Sequence, residues 1–213
     1  MGIKEYTSKG IEKIKEEAKV LKGEKSKHKT YSTTREFIDE VSANLEFSRA
    51  KERLFDVNAW SSIPGIANAV FELHGPDGKF LQKNHVDKGD FIKIDLPGPL
   101  PFYWVKVTDL ASSDTSAEFT VQPTYDPTER DDKIVTDHFF KDQARSIFRV
   151  ERNGREITAM EIGLDEAINN EKEEAGEKGL INTLVSAGGW AVLQKYQWKN
   201  LTDYLVGTRT PSE

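Results

Sequence analysis

The stretch that decides the fold is residues 179–206, GLINTLVSAGGWAVLQKYQWKNLTDYLV. Its apolar residues recur at steps of three, four or seven, which is the spacing of one face of an α-helix. The pattern predicts one long amphipathic helix, whose stripe is Leu180, Leu184, Gly188, Ala191, Trp198, Leu201 and Leu205, widened by Ile181, Val185, Val192 and Tyr196. Such a helix needs a sheet face to cover. Gly207 is its expected C-terminal stop.

Short strand patterns fill the chain before this helix. Alternating side chains over 69–74 and 91–96 predict two strands, and two further strands are expected over 102–107 and over 117–122, where Phe119 and Val121 share one face. Pro76-Asp77-Gly78 predicts a turn, with Phe80 and Leu81 beginning a return strand. The loop at 123–136 is rich in Pro, Asp and Thr and is expected to be exposed.

Asn153 and Gly154 give the clearest local signal, because both tolerate the positive φ of a two-residue type I′ hairpin turn. A turn at these residues predicts that Phe148 lies opposite Ala159 and that Ser146 lies opposite Glu161. One face of the hairpin then carries Phe148, Val150, Ile157 and Ala159 and ends in Ser146 and Glu161. The other face carries Ile147, Met160 and Ile162.

Over residues 37–47 the odd positions are apolar apart from Asp39, and the even positions from Glu40 onward are polar, so the stretch predicts a half-buried strand. The alternative is a helix, because Phe37, Val41 and Leu45 are also four apart and Thr33 with Glu36 resembles a capping box. If the strand is right, Ser48 caps a short helix over 49–58, and a second helical turn follows near 61–67.

The N-terminal residues 1–33 differ from the rest and are expected to form a lysine-rich extension and linker. Ile11, Ile14, Ala18 and Leu21 predict a helix over about 8–22, and residues 22–29 read as a linker. This leaves a domain at 34–207 and a tail at 208–213. The extension either packs loosely on the domain, or residues 4–29 contact an acidic protein or a membrane surface.

Composition restricts the function. The 213 residues include no cysteine, which excludes disulfides and thiol catalysis, and the net charge of −6 gives no general attraction to nucleic acid. The chain shows no apolar leader and no apolar run long enough to span a membrane, so we expect a cytoplasmic protein, either a monomer or a homodimer. The four histidines are scattered, so we expect no metal, and no sequence pattern suggests a cofactor.

The order of these elements resembles the helix-grip superfamily of START lipid-binding domains, polyketide cyclases and the birch-pollen allergen family. The local resemblance rests on residues 47–57, FSRAKERLFDV, and on the last helix from Gly189-Trp190 to Trp198-Lys199-Asn200-Leu201. It implies an α+β fold in which a curved antiparallel sheet of about seven strands wraps around the C-terminal helix. It also implies a cavity between sheet and helix that accepts an apolar or aromatic ligand.

Several residues are candidates for such a cavity. Glu161 is the first, because a carboxylate among apolar neighbours either has a raised pKa or pairs with a cation. Tyr103 and His138 are further acid–base candidates. The expected ligand-binding set is Tyr103, Trp104, Phe148, Met160, Glu161, Leu184, Trp190 and Tyr196.

The leading hypothesis is a non-enzymatic carrier for a hydrophobic small molecule. One alternative is a cyclase or hydratase that uses acid–base residues in the same cavity. Another is a protein-interaction module with a collapsed cavity and an exposed apolar patch. Fold alone does not separate these three functions.

Overall fold

The computed structural model describes residues 27–64, 69–95, 102–128, 143–166 and 189–210. Within these ranges a 3₁₀ helix spans Val57–Ser62. The other elements, in chain order, are β1 (Lys27–Glu36), α1 (Glu40–Phe55), β2 (Val70–His74), β3 (Phe91–Asp95), β4 (Tyr103–Ser112), β5 (Ser116–Thr124), β6 (Arg145–Asn153), β7 (Glu156–Glu166) and α2 (Gly189–Leu205).

The seven strands form one antiparallel sheet in the order β1-β7-β6-β5-β4-β3-β2. The helix α2 packs against β1, β7 and α1, so the sheet curls around the terminal helix as the helix-grip resemblance implies. The predicted α+β class and the predicted element order are therefore confirmed. We call the face of the sheet that meets α2 the inner face.

The predicted strand at 37–47 is wrong, because α1 occupies this stretch. The carboxylate of Asp39 accepts a hydrogen bond of 2.7 Å from the backbone N–H of Ser42 and so caps the helix. Asp39 is also the residue that broke the period-two pattern. The predicted cap, Ser48, lies inside the helix. The buried residues of α1 are Ala43, Phe47, Ala50, Leu54 and Phe55.

The first strand of the sheet lies earlier than predicted. Residues 27–36 pair with β7, so residues 27–29 belong to the sheet rather than to a linker. Every residue of β1 except Tyr31 is charged, polar or His, which hides the strand from an apolar-alternation test. Burial nevertheless alternates along β1, and the less exposed side chains, from Lys29 to Arg35, are those that reach α2.

The β6–β7 hairpin has the predicted faces but a different register. Its loop is Gly154-Arg155, Asn153 pairs with Glu156, and Phe148 lies opposite Glu161 instead of Ala159. Gly154 has φ of +58° and Asn153 has no positive φ, so only the first loop position needs glycine. Moving the loop by one residue shifts each pairing by two, which keeps every side chain on its predicted face.

Two arginines hold the C-terminal end of α2. Arg53 of α1 donates from Nε and Nη2 to the carbonyl of Leu205 at 3.1 and 2.9 Å. Arg35 of β1 donates from Nη1 to the carbonyls of Val206 at 3.2 Å and Gly207 at 2.8 Å. The last carbonyls of a helix lack partners and carry partial negative charge, so these guanidinium groups stabilise the end of α2. We call this arrangement the arginine clamp.

Gly207 is required where the clamp closes. Its φ is +73°, and a Cβ at this position would lie 2.6 Å from Glu46 Oε1 and 3.2 Å from each of the two clamp guanidiniums. We therefore expect Gly207→Ala to lower the free energy of unfolding by about 2–3 kcal/mol in chemical denaturation. The matched control is Gly89→Ala, because Gly89 has φ of +98° but open space around the missing Cβ. An equal loss of unfolding free energy in the two variants would contradict a steric conflict between a Cβ at position 207 and the clamp.

Glu46 couples the clamp to pH. Burial alone would raise the pKa of Glu46, but its hydrogen bond to Arg53 at 2.6 Å and the charges of Arg53 and Arg49 outweigh burial and lower the pKa below its usual 4.5. The stabilisation is therefore present above about pH 4.5 and is lost as the pH falls through the lower folded-state value.

We expect Glu46→Gln to cost about 2 kcal/mol at pH 7, because the Arg53 guanidinium loses its charged partner. This cost should shrink toward zero in acid unfolding titrations, where wild-type Glu46 is itself protonated. The control is Glu36→Gln, which removes an exposed pair with Arg155 and should cost little. A cost of Glu46→Gln that does not change with pH would show that charge plays no part.

Candidate functional site

An aromatic layer lies between the sheet and α2. Phe148 of β6 is at its centre, with ring centroids 5.0 Å from Trp60, 5.2 Å from Phe119 and 5.5 Å from Trp198. Phe71 extends the layer, 5.5 Å from Trp60 in an edge-to-face arrangement. Rings from the 3₁₀ helix, β2, β5, β6 and α2 therefore meet on the inner face, where offset and edge-to-face contacts favour apolar or aromatic neighbours.

A small hollow borders this layer on the side of α2. Its volume is about 10 Å³, which is room for about one water. The indole Nε1 of Trp198, whose ring lines the hollow, is buried and has no hydrogen-bond partner in the part of the chain that the structure describes. Leaving a buried donor without a partner costs the folded protein about 1–3 kcal/mol of free energy. A bound molecule that offers an acceptor to this N–H would therefore recover part of that cost. The lining residues are Trp60, Ile63, Ala69, Phe71, Gln197, Trp198, Asn200 and Leu201.

A polar band lies beside the aromatic layer, where β1 and β7 meet α2. Glu161 of β7 has no exposed surface and lies between Phe148 on β6 and Tyr31 on β1. Lys29 donates from Nζ to Oε1 of the buried Gln194 of α2 at 3.1 Å. The four residues of this polar band, Lys29, Tyr31, Glu161 and Gln194, place a carboxylate, an ammonium, a phenol and an amide on the inner face.

Threonines continue the contact between β1 and α2 toward the clamp. Thr33 Oγ1 lies 2.8 Å from Thr202 Oγ1 and donates to Asp203 Oδ1 at 2.9 Å. Thr202 also donates to the carbonyl of Lys199 at 3.1 Å. These bonds fix how far α2 slides along β1, and so they fix where Trp198 and Gln194 lie.

The structure brings together two residues of the expected ligand-binding set. Phe148 and Glu161 are cross-strand neighbours on the inner face, and Tyr103 is buried in the core on the same face at the β4 side. Leu184 and His138 lie outside the described residues. Trp190 belongs to α2, but its side chain also lies outside the description.

Three residues of that set point elsewhere. Trp104 is on the outer face, where its ring contacts His74 at 4.9 Å. Met160 is also on the outer face, because Ala159 and Glu161 on either side of it point inward. Tyr196 is 62% exposed, since it lies nearly opposite Trp198 around the helix, and the buried positions of this turn are Gln194 and Gln197.

The sequence prediction missed the polar band apart from Glu161. Lys29 and Tyr31 fall in residues 1–33, which the sequence analysis assigns to an extension and linker. The threonine-rich run around Thr33, which is typical of strands, is the signal that could have located the strand. Gln194 was overlooked because the helix stripe was built from apolar residues only. A step of four residues back from Trp198 would have found it.

A second, wider cleft lies outside the inner face. It has a volume of about 550 Å³ and is bounded by the C-terminal half of α1, residues 84–85, Ser112 and Tyr204. Burial raises the pKa of the Tyr204 phenol, and the charge of Arg53 partly opposes this effect. Lys51 and Arg53 face Glu52 and Asp56 around the cleft, so it presents charges of both signs. Its lining is mixed, with charged side chains beside Phe55 and Tyr204, unlike the apolar container that the sequence predicts.

Two features are absent from the described residues. No three His, Asp or Glu side chains there form a group that could hold a metal ion. No helix in the same part of the chain combines the length and apolar character that crossing a membrane would require.

Comparison with known proteins identifies the fold only. No protein-family model matches the chain, and no curated protein matches it. The structure is similar to that of hypothetical protein jhp0584 from Helicobacter pylori, with 11% identity over 91% of this chain and 94% of that chain, at a TM-score of 0.55. At this identity the likeness shows a shared fold, and it says nothing about ligand or reaction.

Weaker similarities extend to two other structures. Protein Ms6760 from Mycobacterium smegmatis is 13% identical over 86% of this chain and 98% of that chain, with a TM-score of 0.40. A norcoclaurine synthase from Thalictrum flavum in complex with a transition-state analogue is 10% identical over 84% and 98%, with a TM-score of 0.39. Scores this low support no inference about function.

Proposed function

We propose that this protein binds a hydrophobic or aromatic small molecule between the sheet and α2 without transforming it. The observation that carries the proposal is Trp198, whose ring lines a hollow in the aromatic layer and whose buried indole N–H has no hydrogen-bond partner among the described residues. Binding sites for small molecules combine apolar walls with a few placed polar groups. The aromatic layer supplies the walls, while Trp198 and the adjacent polar band supply the polar groups.

The size of the hollow sets a condition on binding. About 10 Å³ admits a water but no organic ligand, and ligand sites usually measure about 300 Å³ or more. A ligand therefore has to displace α2 from the aromatic layer. The arginine clamp fixes the C-terminal end of α2 and Lys29 bonds Gln194, so we expect the displacement on the aromatic side of α2, away from both contacts.

We expect acetophenone to bind more tightly than ethylbenzene, because only acetophenone offers an acceptor to the Trp198 indole. Trp198→Phe keeps an aromatic ring and removes the donor, so it should abolish the preference for acetophenone, which we estimate at about 1–1.5 kcal/mol or roughly tenfold in affinity. Ligand-observed NMR titration of both compounds measures this difference.

The matched control is Trp104→Phe. Trp104 Nε1 is also buried without a hydrogen-bond partner, but it lies on the outer face, so the variant should retain the full preference for acetophenone. Failure of both compounds to bind the wild-type protein, or a preference that survives Trp198→Phe, would refute the proposal. Native mass spectrometry of the purified protein would then identify any other molecule it carries.

A second candidate function, acid–base catalysis of the cyclase or hydratase kind, is favoured by one observation. Tyr31 and Glu161 are cross-strand partners on the inner face, so a phenol and a buried carboxylate share one site. The two functions differ in the fate of a co-purifying ligand, which a carrier returns unchanged and an enzyme converts. Conversion that is lost in Glu161→Gln, with ligand affinity retained, would favour catalysis over carriage.

A further inference from the structure

The helix α1 carries apolar residues on both of its sides. Its inner side is buried in the core, but Val41 and Leu45, together with Ile38 just before the helix, are 80%, 58% and 85% exposed. These three residues, which we call the α1 patch, lie one turn apart on the side of the helix away from the sheet. A surface helix with a second apolar stripe requires a second partner, because its solvent side is ordinarily polar.

The rim of the α1 patch is acidic. Asp39 and Glu40 precede and flank Val41, and Glu52 lies two turns beyond Leu45 on the same outward side. Two arginines also lie at the patch, but each has an acidic partner. Arg49 pairs with Glu46 at 3.3 Å, and Arg155, which donates to the carbonyl of Ile38, pairs with Glu36. The surface therefore fits a partner that combines an apolar stripe with positive charge.

The chain itself contains such a segment outside the described residues. Residues 8–22 have Ile11, Ile14, Ala18 and Leu21 at helical spacing, and the same stretch contains five lysines against three glutamates. Its apolar stripe and its charge complement the α1 patch and the acidic rim. The other long segment outside the description, residues 167–188, has four glutamates against two lysines and fits the acidic rim less well.

The segment could dock on the α1 patch of its own chain or on that of a second copy, and chain length decides between the two. β1 runs about 30 Å from Lys27 to Glu36, and Ile38 lies beyond Glu36. Residues 23–26 span at most about 17 Å, so Leu21 stays within about 20 Å of Lys27. A helix over 8–22 adds about 22 Å, which brings only its first turn near the patch, with its axis directed along β1. The segment therefore cannot lay its stripe across the α1 patch of its own chain.

We propose that residues 8–22 of a second copy of this chain dock on the α1 patch. In a closed dimer with two-fold symmetry each chain gives its segment to the other, so both patches are covered. The lysines of the segment face the acidic rim, and dimerisation weakens as salt increases.

The test compares two variants of the full chain by light scattering after size-exclusion chromatography, over a range of protein concentrations. The patch variant is Val41→Asp with Leu45→Asp, and the segment variant is Ile14→Asp with Leu21→Asp. We expect the wild type to have twice the mass of the chain and each variant to weaken the dimer by at least about tenfold. The control Asn44→Asp adds one negative charge, against two in the patch variant, to an exposed position of α1 beside the patch and should leave the dimer intact. Circular dichroism confirms that each variant folds.

Mixing the two variants gives the sharpest result. The patch variant keeps a working segment and the segment variant keeps a working patch, so the mixture should form a heterodimer through one intact contact, although each variant alone is monomeric. A wild-type protein that is monomeric at every concentration overturns the proposal. The proposal is also overturned if both variants keep the mass of the wild-type dimer. In that case the segment has another target, such as a membrane surface if it binds anionic vesicles equally well with and without the patch substitutions.

Discussion

The arginine clamp is the interaction on which the rest of the structure depends. The curled sheet meets the end of the helix here, where Arg53 of α1 bonds the carbonyl of Leu205, the last residue of α2, and Arg35 of β1 bonds that of Gly207 just after it. Both arginines lie far from α2 in sequence, so the clamp forms only when β1, α1 and α2 have assembled. Glu46 orients Arg53, and Gly207 leaves the space in which the groups meet. The clamp therefore joins the two ends of the described chain into one core.

The contact between α2 and the sheet has two chemically different parts. Toward β5 and β6 it consists of stacked and edge-on rings around Phe148, whereas toward β1 and β7 it is polar and includes the buried Glu161. Aromatic contacts tolerate sliding and separation better than hydrogen bonds, which require fixed geometry. A helix held by directional bonds on one side and by rings on the other can therefore swing open on its aromatic side while it stays in register with β1. This asymmetry is what makes a ligand site between sheet and helix physically reasonable despite the small hollow.

The element order and the fold class could be predicted from the sequence because they depend on long periodic patterns. The inward face of the β6–β7 hairpin was also predictable, since a shift of two residues leaves the sides of a strand unchanged. Two features defeated the prediction. β1 is polar along almost its whole length because one side meets a polar part of α2, and α1 has Val41 and Leu45 on its solvent side. Alternation of polarity locates a strand or helix only when one of its sides is apolar and buried and the other is polar and exposed to solvent.

The apolar residues on the solvent side of α1 also bear on function. Two of the apolar residues that made 37–47 look like a strand, Val41 and Leu45, belong to the α1 patch, so part of the misleading pattern is a surface feature with its own physical cause. The helix α1 also carries Glu46 and Arg53, and Arg53 bonds the carbonyl at the end of α2. A partner on the outward side of α1 therefore acts on the fixed end of α2, about which any opening of the aromatic side would pivot. Occupation of the patch would steady that pivot and leave the aromatic side of α2 free to swing open, so docking on α1 and ligand entry beside α2 use different surfaces.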